Sequence, residues 1–380
     1  MVRQVRFGIV GCGLMGREFA SAAARWCHLT SMDAAPEIVA VCSRSEENRA
    51  WFTSHCPSVR QSTADYRELV ANPEVDAVYV AVPHHLHEEI YVAVLEAGKH
   101  LMGEKPFGID RTANEAILAA ARRHPASFVR CSSEFPFFPA VQRLCGMIEE
   151  DAFGTILEVN AGFLHSSDLN PSKAMNWKRT VAMNGAYGCL GDLGMHVYHV
   201  PFRAGWRVDN VRAILSNVVR ERPDGKTGAM VPCETWDNAT LLCEAGDARF
   251  PLTFKTQRIA PGEKNTWYLE ILGTRRSARF STKNANLLQL LEYDGGEQAW
   301  RHIDMGHEMT FPSITGGIFE TGFSDIMLQM WAAYLYELAN GKPLRPFAGC
   351  VTPEETRRQH VLSTAALESH AQGKVMPLAF

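Results

Sequence analysis

The sequence predicts an α/β protein of two domains: an N-terminal domain built on a parallel sheet, and a C-terminal α+β domain with a large, mostly antiparallel open sheet. The 380 residues exceed what one hydrophobic core usually organises. The first third alternates strand-like and helix-like segments, whereas the later part has successive strand patterns joined by short turns. We place the two domains at residues 1–130 and 131–380.

The composition excludes several classes of protein. Hydrophobic residues make up 46% and charged residues 21% of the chain, which is ordinary for a globular protein and argues against disorder. A formal net charge of −4 with dispersed Lys and Arg gives no reason to bind nucleic acid, and no apolar run reaches membrane-spanning length. The ten cysteines are scattered and form no Cys-x-x-Cys pair, so we expect free, mostly buried thiols in a reducing compartment. The start of the chain has no signal-peptide pattern, so we expect the cytoplasm.

The first strand, Val5 to Val10, runs into a glycine-rich turn that precedes helical residues Arg17 to Trp26. The turn consists of Gly11, Cys12, Gly13, Leu14, Met15 and Gly16. Glycines in this pattern allow a tight turn, close approach of a pyrophosphate and close packing of helix on strand. The context predicts a Rossmann dinucleotide-binding turn that uses all six residues; a plain glycine turn is the alternative.

The second strand, Ile38 to Cys42, ends at Ser43 and Arg44. An acidic residue at this position accepts from the ribose 2′-OH of NAD, whereas Ser and Arg donate to the 2′-phosphate of NADP. The pattern therefore favours NADP over NAD. The alternative is that Arg44 is a solvated surface residue.

A third apolar strand, Val75 to Val82, is followed by Pro83, three histidines and a helix that ends at Ala97 with Gly98 as its cap. Ligands of open α/β sheets bind beyond the carboxyl ends of strands. We therefore assign four residues to the cofactor: Val82, Pro83, His84 and His87. Histidines here are also common as scaffolding, and because no further ligand completes a set, we expect no metal.

The next strand, His100 to Gly103, leads into Glu104-Lys105-Pro106. The proline stops the strand and restricts where Lys105 points, so Lys105 is a candidate for polarising a substrate oxygen, with Glu104 beside the cofactor. A solvated lysine is the alternative. Asp110 then caps a helix that runs to about His124, and Ser127 to Ser132 completes the domain.

The second domain is mostly sheet. After a helix from about Ala140 to Glu150, we predict strands at Thr155–Phe163, Val208–Val219, Asp237–Cys243, Arg249–Thr256, Trp267–Leu272, Ala278–Thr282, Leu287–Tyr293 and Trp300–Met305. Helices return at Phe319–Asn340 and Glu354–Ala371. Thr352, Pro353 and Glu355 predict an N-cap, a first-turn proline and a capping box for the last helix.

Asp192 and His196 lie four residues apart in a stretch that, if helical, puts them on one face. A carboxylate beside an imidazole forms a workable acid/base unit. A helix-starting Asp that hydrogen-bonds a partly buried His fits these residues equally well.

Together these features resemble the Gfo/Idh/MocA oxidoreductase family over nearly the whole chain. The resemblance depends on the glycine turn, Ala97-Gly98-Lys99-His100, Glu104-Lys105-Pro106 and Gly191-Asp192-x-Gly194-x-His196. It implies an NAD(P)-dependent enzyme that interconverts a ring hydroxyl and a ketone of a sugar, inositol or related polyol, and a homodimer or homotetramer formed through the C-terminal sheet. It also implies that Lys105, Asp192 and His196 converge on the substrate beside the nicotinamide. We further assign Trp177 and Lys178 to the cofactor, and Asn176 and His199 to the substrate.

The sequence departs from the family pattern at three places, which predicts a rearranged substrate site. His84 stands where relatives often have Asn, and His199 where they often have Asp. The segment 133–138, with sequence Ser-Glu-Phe-Pro-Phe-Phe, replaces a stretch that often carries Asn and Arg. Three alternatives to a dehydrogenase are a non-catalytic dinucleotide-binding regulator, an NAD-dependent redox-assisted glycosidase and a purely structural protein.

Overall fold

In the computed structural model, residues 2–305 and 309–380 are described. The chain divides into two compact units, one of residues 1–137 and 307–356 (unit 1) and one of residues 138–306 and 357–380 (unit 2). The helices are α1 Leu14–Ala24, α2 Glu46–His55, α3 Tyr66–Ala71, α4 His87–Glu96, α5 Arg111–Arg123, α6 Pro139–Glu149, α7 Val181–Asn184, α8 Cys189–Arg203, α9 Phe323–Asn340 and α10 Pro353–Gln372. None of these helices has the length and apolar character needed to cross a membrane.

Unit 1 contains a six-stranded sheet, parallel throughout, in the order β3-β2-β1-β4-β5-β6. Its strands are β1 Arg3–Val10, β2 Ala34–Cys42, β3 Gln61–Thr63, β4 Ala77–Val80, β5 His100–Gly103 and β6 Val129–Cys131. This is the predicted Rossmann sheet. The predicted strand from Val75 to Val82 is shorter in the structure because the chain leaves the β4 ladder after Val80.

The carboxyl ends of five strands are level in this sheet. Val10 pairs with Cys42 and with Val80, Val80 pairs with Gly103, and Gly103 pairs with Cys131. The segments that follow these strands therefore leave the sheet along one edge. The strand order reverses between β1 and β4, which is where open α/β sheets bind their ligands.

Helix α9 packs in unit 1, although we placed it in the C-terminal domain from the sequence. The Trp331 ring stacks on Phe19 with centroids 3.8 Å apart, and its edge meets Phe7 and Tyr79 at 5.9 and 4.8 Å. A wholly buried tryptophan of this size fills the core of unit 1. The observed division thus differs from the predicted one at residues 131–137 and 307–356, because contacts of high sequence separation bring α9 back to the first sheet.

Unit 2 contains a nine-stranded sheet in the order β16-β15-β14-β13-β7-β12-β11-β8-β17, with a separate β9-β10 hairpin. Its strands are β7 Ile156–Leu164, β8 Val208–Ser216, β9 Glu221–Pro223, β10 Met230–Pro232, β11 Asn238–Ala245, β12 Phe250–Gln257, β13 Thr266–Gly273, β14 Arg276–Ser281, β15 Leu287–Glu292, β16 Arg301–Asp304 and β17 Met376–Pro377. Among the described strands of this nine-stranded sheet, only the β7-β12 pair is parallel. The predicted large, mostly antiparallel sheet is confirmed. Helix α8 packs on β7 and β12.

Two helices begin at the capping residues that the sequence predicts. The Asp110 carboxylate accepts from the backbone N–H of Ala113 at 2.9 Å, as predicted for the start of α5. Thr352 and Glu355 form the predicted capping box at α10, with Thr352 N–H donating to the Glu355 carboxylate at 2.7 Å. The ten cysteines are free thiols, and all except Cys27 and Cys56 are buried.

Candidate active site

The glycine turn after β1 is shaped by two glycines and leaves space at the third. Gly11 has φ +107°, and a Cβ there would lie 2.2 Å from the Ala81 carbonyl oxygen. A Cβ on Gly16 would lie 2.4 Å from the Gly11 carbonyl oxygen. A Cβ on Gly13 would meet nothing within 4 Å. Packing therefore requires Gly11 and Gly16, whereas the absent side chain of Gly13 leaves room for a ligand to reach the backbone.

Helix α1 begins directly from this turn. No side chain of the described residues caps its N-terminus at Gly13, and its first turn carries no acidic residue. By contrast, Ser45, Asp65 and Asp110 cap α2, α3 and α5. The first-turn N–H groups of α1, at the positive end of the helix dipole, are thus available to donate to an anion. The Cys12 side chain is buried under the turn with its thiol against the Cys42 carbonyl at 3.5 Å, while Leu14 and Met15 open the helix.

The segment after β2 carries no carboxylate at its first three positions. The Ser43 hydroxyl accepts from the Ser45 N–H at 3.3 Å, and the Arg49 guanidinium donates to the Ser43 carbonyl. Arg44 is exposed and makes no ion pair with any described residue. The side chain of Arg44 is therefore available to an anionic ligand at this edge of the sheet.

The segment after β4 holds Val82, Pro83, His84 and His87. The His87 ring is wholly buried, with Nδ1 2.6 Å from the Pro106 carbonyl oxygen and Nε2 3.0 Å from that of Val82. Burial lowers the pKa of His87 to about 4, although both carbonyl oxygens favour the charged ring. His87 is thus neutral at pH 7 and supports the turn from inside, as in the scaffolding alternative. His84 is also buried, with its ring 5.4 Å from that of His87.

The segments after β5 and β6 place two carboxyl groups near one lysine. Tyr79 donates its hydroxyl to the Glu104 carboxylate at 2.7 Å, and Tyr91 donates to the Glu104 carbonyl at 2.7 Å. Burial and the nearby charge of Glu104 raise the pKa of Glu134 to about 7, while Lys105 opposes the shift. Glu104, the residue before Lys105, is therefore a buried residue held by two tyrosine hydroxyls. Sequence analysis did not single out Glu134 as a protonatable group, because its neighbours along the chain are aromatic and its charged neighbours come from β5.

In unit 2, helix α8 carries Asp192, His196 and His199 on one face. All three side chains are at least nine-tenths buried. The His196 carbonyl accepts from Trp267 Nε1 at 2.8 Å, and the His196 ring meets the edge of Phe163 with centroids 5.3 Å apart. The stretch is helical, which meets the condition under which Asp192 and His196 share one face, and the contact with Phe163 restricts where the imidazole lies.

The Asp192 carboxylate is held by two cations. Lys178 Nζ lies 2.9 Å from Oδ1 and 3.1 Å from Oδ2, and the Arg258 guanidinium bonds Oδ2. Asn176 caps the short 3-10 helix that carries Lys178 by accepting from its backbone N–H at 3.0 Å. The Lys178 ammonium also lies 5.5 Å from the centre of the Trp177 ring. Lys178, which we assigned to the cofactor, is thus placed with Asp192.

Sequence analysis missed Arg258 and its second partner, Asp168. Arg258 follows β12 directly, and its Nε donates to Asp168 Oδ2 at 2.8 Å. The two residues are 90 positions apart in the sequence, so spacing carried no signal. Within unit 1 the structure gathers the glycine turn, Ser43, Pro83 and Lys105 along one sheet edge; within unit 2 it gathers Asn176, Lys178, Asp192 and His196.

Comparison with known proteins identifies both parts of the chain. Residues 5–130 match the model described as oxidoreductase family, NAD-binding Rossmann fold, and residues 141–279 match the GFO/IDH/MocA C-terminal domain. Levoglucosan dehydrogenase of Pseudarthrobacter phenanthrenivorans is 26% identical over 305 residues, 76% of either chain. Trans-1,2-dihydrobenzene-1,2-diol dehydrogenase of Sus scrofa is 28% identical over 196 residues, 50% of this chain and 53% of that protein.

Solved structures show the same fold. A levoglucosan dehydrogenase in complex with NADH and L-sorbose has a TM-score of 0.89 at 23% identity, covering 99% of both chains. An inositol dehydrogenase homologue from Azotobacter vinelandii, complexed with NAD+, has a TM-score of 0.79 at 19% identity, covering 99% of this chain and 98% of that one. With two matching domain models in the expected order, the chain belongs to the Gfo/Idh/MocA family of oxidoreductases and carries its NAD-binding Rossmann fold.

Proposed function

We propose that this protein is an NAD(P)-dependent dehydrogenase that interconverts a ring hydroxyl and a ketone of a sugar, inositol or related polyol. The observation that carries the proposal is that Asp192, which is bonded to Lys178, and His196 lie on one face of α8, in a chain whose other domain has a glycine turn before an uncapped helix. The names of the relatives support this substrate class.

The dinucleotide fits the residues at the edge of the unit 1 sheet. Gly13 and the first-turn N–H groups of α1 would hold the pyrophosphate, because a Cβ at Gly13 would occupy open space. A dinucleotide held there would supply the hydride acceptor for the carbinol carbon. Pro83 and Lys105 follow neighbouring strands at the same edge, so we assign the nicotinamide side of the site to them.

His196 acts as the base in this proposal and takes the hydroxyl proton on an imidazole nitrogen. The Lys105 ammonium donates a hydrogen bond to the same oxygen and stabilises the negative charge that develops there. Asp192, which forms ion pairs with Lys178 and Arg258, either orients His196 or accepts from a neighbouring substrate hydroxyl. In the reducing direction His196 returns the proton to the oxygen.

For the cofactor we propose NADP in preference to NAD. Arg44 is exposed at the end of β2, where the adenosine ribose of a Rossmann ligand lies, and the first three positions after the strand carry no carboxylate. The related structures contain NADH or NAD+, so both cofactors belong in any assay.

We further propose a homodimer or homotetramer formed through the outer face of the unit 2 sheet. On this face Ile214 of β8 and Leu242 of β11 are 64% and 53% exposed on neighbouring strands. Exposed apolar side chains grouped on a sheet mark an interaction surface. The free thiols support a reducing location, which we propose is the cytoplasm.

The test follows absorbance of reduced nicotinamide with a panel of sugars, inositols, 1,6-anhydrosugars and glycosides, each with NAD and NADP. We expect net reduction of the dinucleotide with at least one polyol. Cleavage of a glycoside without net change in the dinucleotide would instead identify a redox-assisted glycosidase. Dinucleotide binding without turnover of any compound, in either direction, would contradict the proposal.

A further inference from the structure

A line of alternating charges in unit 2 includes the site carboxylate of Asp192. Lys173 Nζ lies 3.0 Å from Asp168 Oδ1, and Arg258 Nε donates to Asp168 Oδ2 at 2.8 Å. The same guanidinium bonds Asp192, whose other oxygen accepts from Lys178. We call these five residues the charge line.

The three central residues of the charge line are buried, and the two lysines at its ends are partly exposed to solvent. The Asp168 and Asp192 side chains are 0% and 1% exposed and that of Arg258 is 8% exposed, whereas Lys173 is 44% exposed. Burying three ionised groups is costly unless each is paired. A single guanidinium meets this requirement for both carboxylates, since its planar fork presents several donors in fixed directions.

Backbone contacts hold the line in place. The Asp168 N–H donates to the Arg258 carbonyl at 3.1 Å, and the Arg258 N–H donates to the Asp237 carbonyl at 2.9 Å. The wholly buried Arg222 donates to the carbonyl groups of Asp168 and Asn170, at 2.7 Å for the latter. Backbone hydrogen bonds therefore join the loop after β7 to the end of β12 at the residues whose side chains form the Asp168–Arg258 ion pair.

We propose that Arg258 and Asp168 are positioning residues for Asp192: Asp168 fixes the plane of the Arg258 guanidinium, and Arg258 fixes the Asp192 carboxylate in one orientation. This inference rests on the proposed function, in which Asp192 serves His196 or the substrate. Asp168 acts through Arg258 and touches neither substrate nor cofactor.

A kinetic double-mutant cycle tests the proposal. Asp168→Asn keeps the size of the side chain but removes its charge, so the grip on Arg258 weakens. We expect this substitution to lower kcat about tenfold in the otherwise wild-type enzyme, with the KM for the dinucleotide unchanged. In an Asp192→Asn background, the same substitution should change the residual kcat less than about twofold, because residues that act as one unit are not additive.

Two further variants make the cycle decisive. Arg258→Lys keeps the positive charge but cannot bridge two carboxylates. It should therefore lower kcat as Asp168→Asn does, and the fall should again depend on Asp192. Arg258→Lys also replaces Asp168→Asn in the cycle if that variant does not fold. Glu337→Gln is the matched control, because it breaks a buried ion pair with Arg130 in unit 1; it should leave kcat within about twofold.

The outcomes separate the two proposals. A wild-type enzyme that turns over a polyol, combined with an equal fall in kcat in both backgrounds, would overturn the positioning role alone. A wild-type enzyme with no turnover across the panel would overturn the proposed function, and the positioning role with it.

Discussion

The pKa values of buried carboxyl groups in the two units are shifted in opposite directions. At the edge of the unit 1 sheet, burial and the charge of Glu104 outweigh Lys105, and the pKa of Glu134 rises to about 7. In unit 2, burial also acts to raise the pKa of Asp168, but Arg258 and Lys173 bond the carboxylate directly and lower it to about 2. Both side chains are buried, and the hydrogen bonds that Arg258 and Lys173 donate to Asp168 account for its lowered pKa.

One chain thus holds buried ionisable groups whose pKa values differ with their surroundings. In unit 1 the pKa of His87 is lowered to about 4 and that of Glu134 is raised to about 7, next to a sheet edge suited to an anionic cofactor. Unit 2 pairs Asp168 and Asp192 each with a guanidinium and an ammonium. Five predictions test this contrast, in order of decreasing expected effect.

The largest effect comes from removing the proposed reacting group of each unit. Lys105→Met and His196→Asn should each lower kcat about 10³-fold, since one loses charge stabilisation of the oxygen and the other the base. Dinucleotide affinity, measured by quenching of tryptophan fluorescence, should change less than about twofold. Unchanged turnover in both variants would contradict the mechanism.

His87 should make unit 1 sensitive to mild acid. Its pKa is about 4 in the folded protein and about 6.5 in the unfolded chain, so the unfolded chain binds a proton first as the pH falls. Stability present above pH 6.5 is lost towards pH 4, by about 3 kcal/mol. His87→Gln cannot gain this proton, so its free energy of unfolding, measured with denaturant, should depend less on pH across the same range. An identical pH dependence in both proteins would refute a neutral His87.

Asp168 should protect unit 2 until the pH is much lower. The pKa of Asp168 is depressed in the folded state, so its contribution is present above about pH 4 and disappears as the pH falls towards 2. The contribution amounts to about 2 kcal/mol. The difference in unfolding free energy between wild type and Asp168→Asn should be constant above pH 5 and shrink below pH 4. A difference that is unchanged at pH 3 would mean that Asp168 is not held ionised.

Within the sheet edge of unit 1, two glycines should respond differently to a methyl group. Gly13→Ala should fold normally but weaken dinucleotide binding about tenfold, because the new Cβ enters the space left for the pyrophosphate. Gly11→Ala should instead destabilise unit 1 by about 1–3 kcal/mol, because Gly11 has a positive φ and its Cβ meets the Ala81 carbonyl. Titration calorimetry and thermal unfolding distinguish the two; equal binding by Gly13→Ala would argue against the assigned pyrophosphate position.

Arg44→Ala should have the smallest effect and a selective one. Loss of the guanidinium should raise the KM for NADP about fivefold to tenfold and leave that for NAD unchanged. Equal changes for both cofactors would indicate that Arg44 does not contact a 2′-phosphate.

Short-range patterns predicted much of the fold. The glycine turn, the Asp110 cap and the capping box of α10 lie where the sequence placed them, since each depends on residues within a few positions of one another. The helix that joins Asp192 to His196 was foreseen for the same reason. The Gfo/Idh/MocA membership is confirmed, whereas the roles of the individual site residues stay proposals.

The sequence by itself determined the order of strands and helices, the two domain types and the residues that carry the family motifs, because these are encoded in local periodicity and turn chemistry. Only the tertiary structure decided that α9 packs in unit 1, that His87 is enclosed between two carbonyl groups and that Arg258 links Asp168 to Asp192. Each of these depends on contacts between residues far apart in the chain. Their free energies come from packing and from charges removed from water, which no local pattern of residues records.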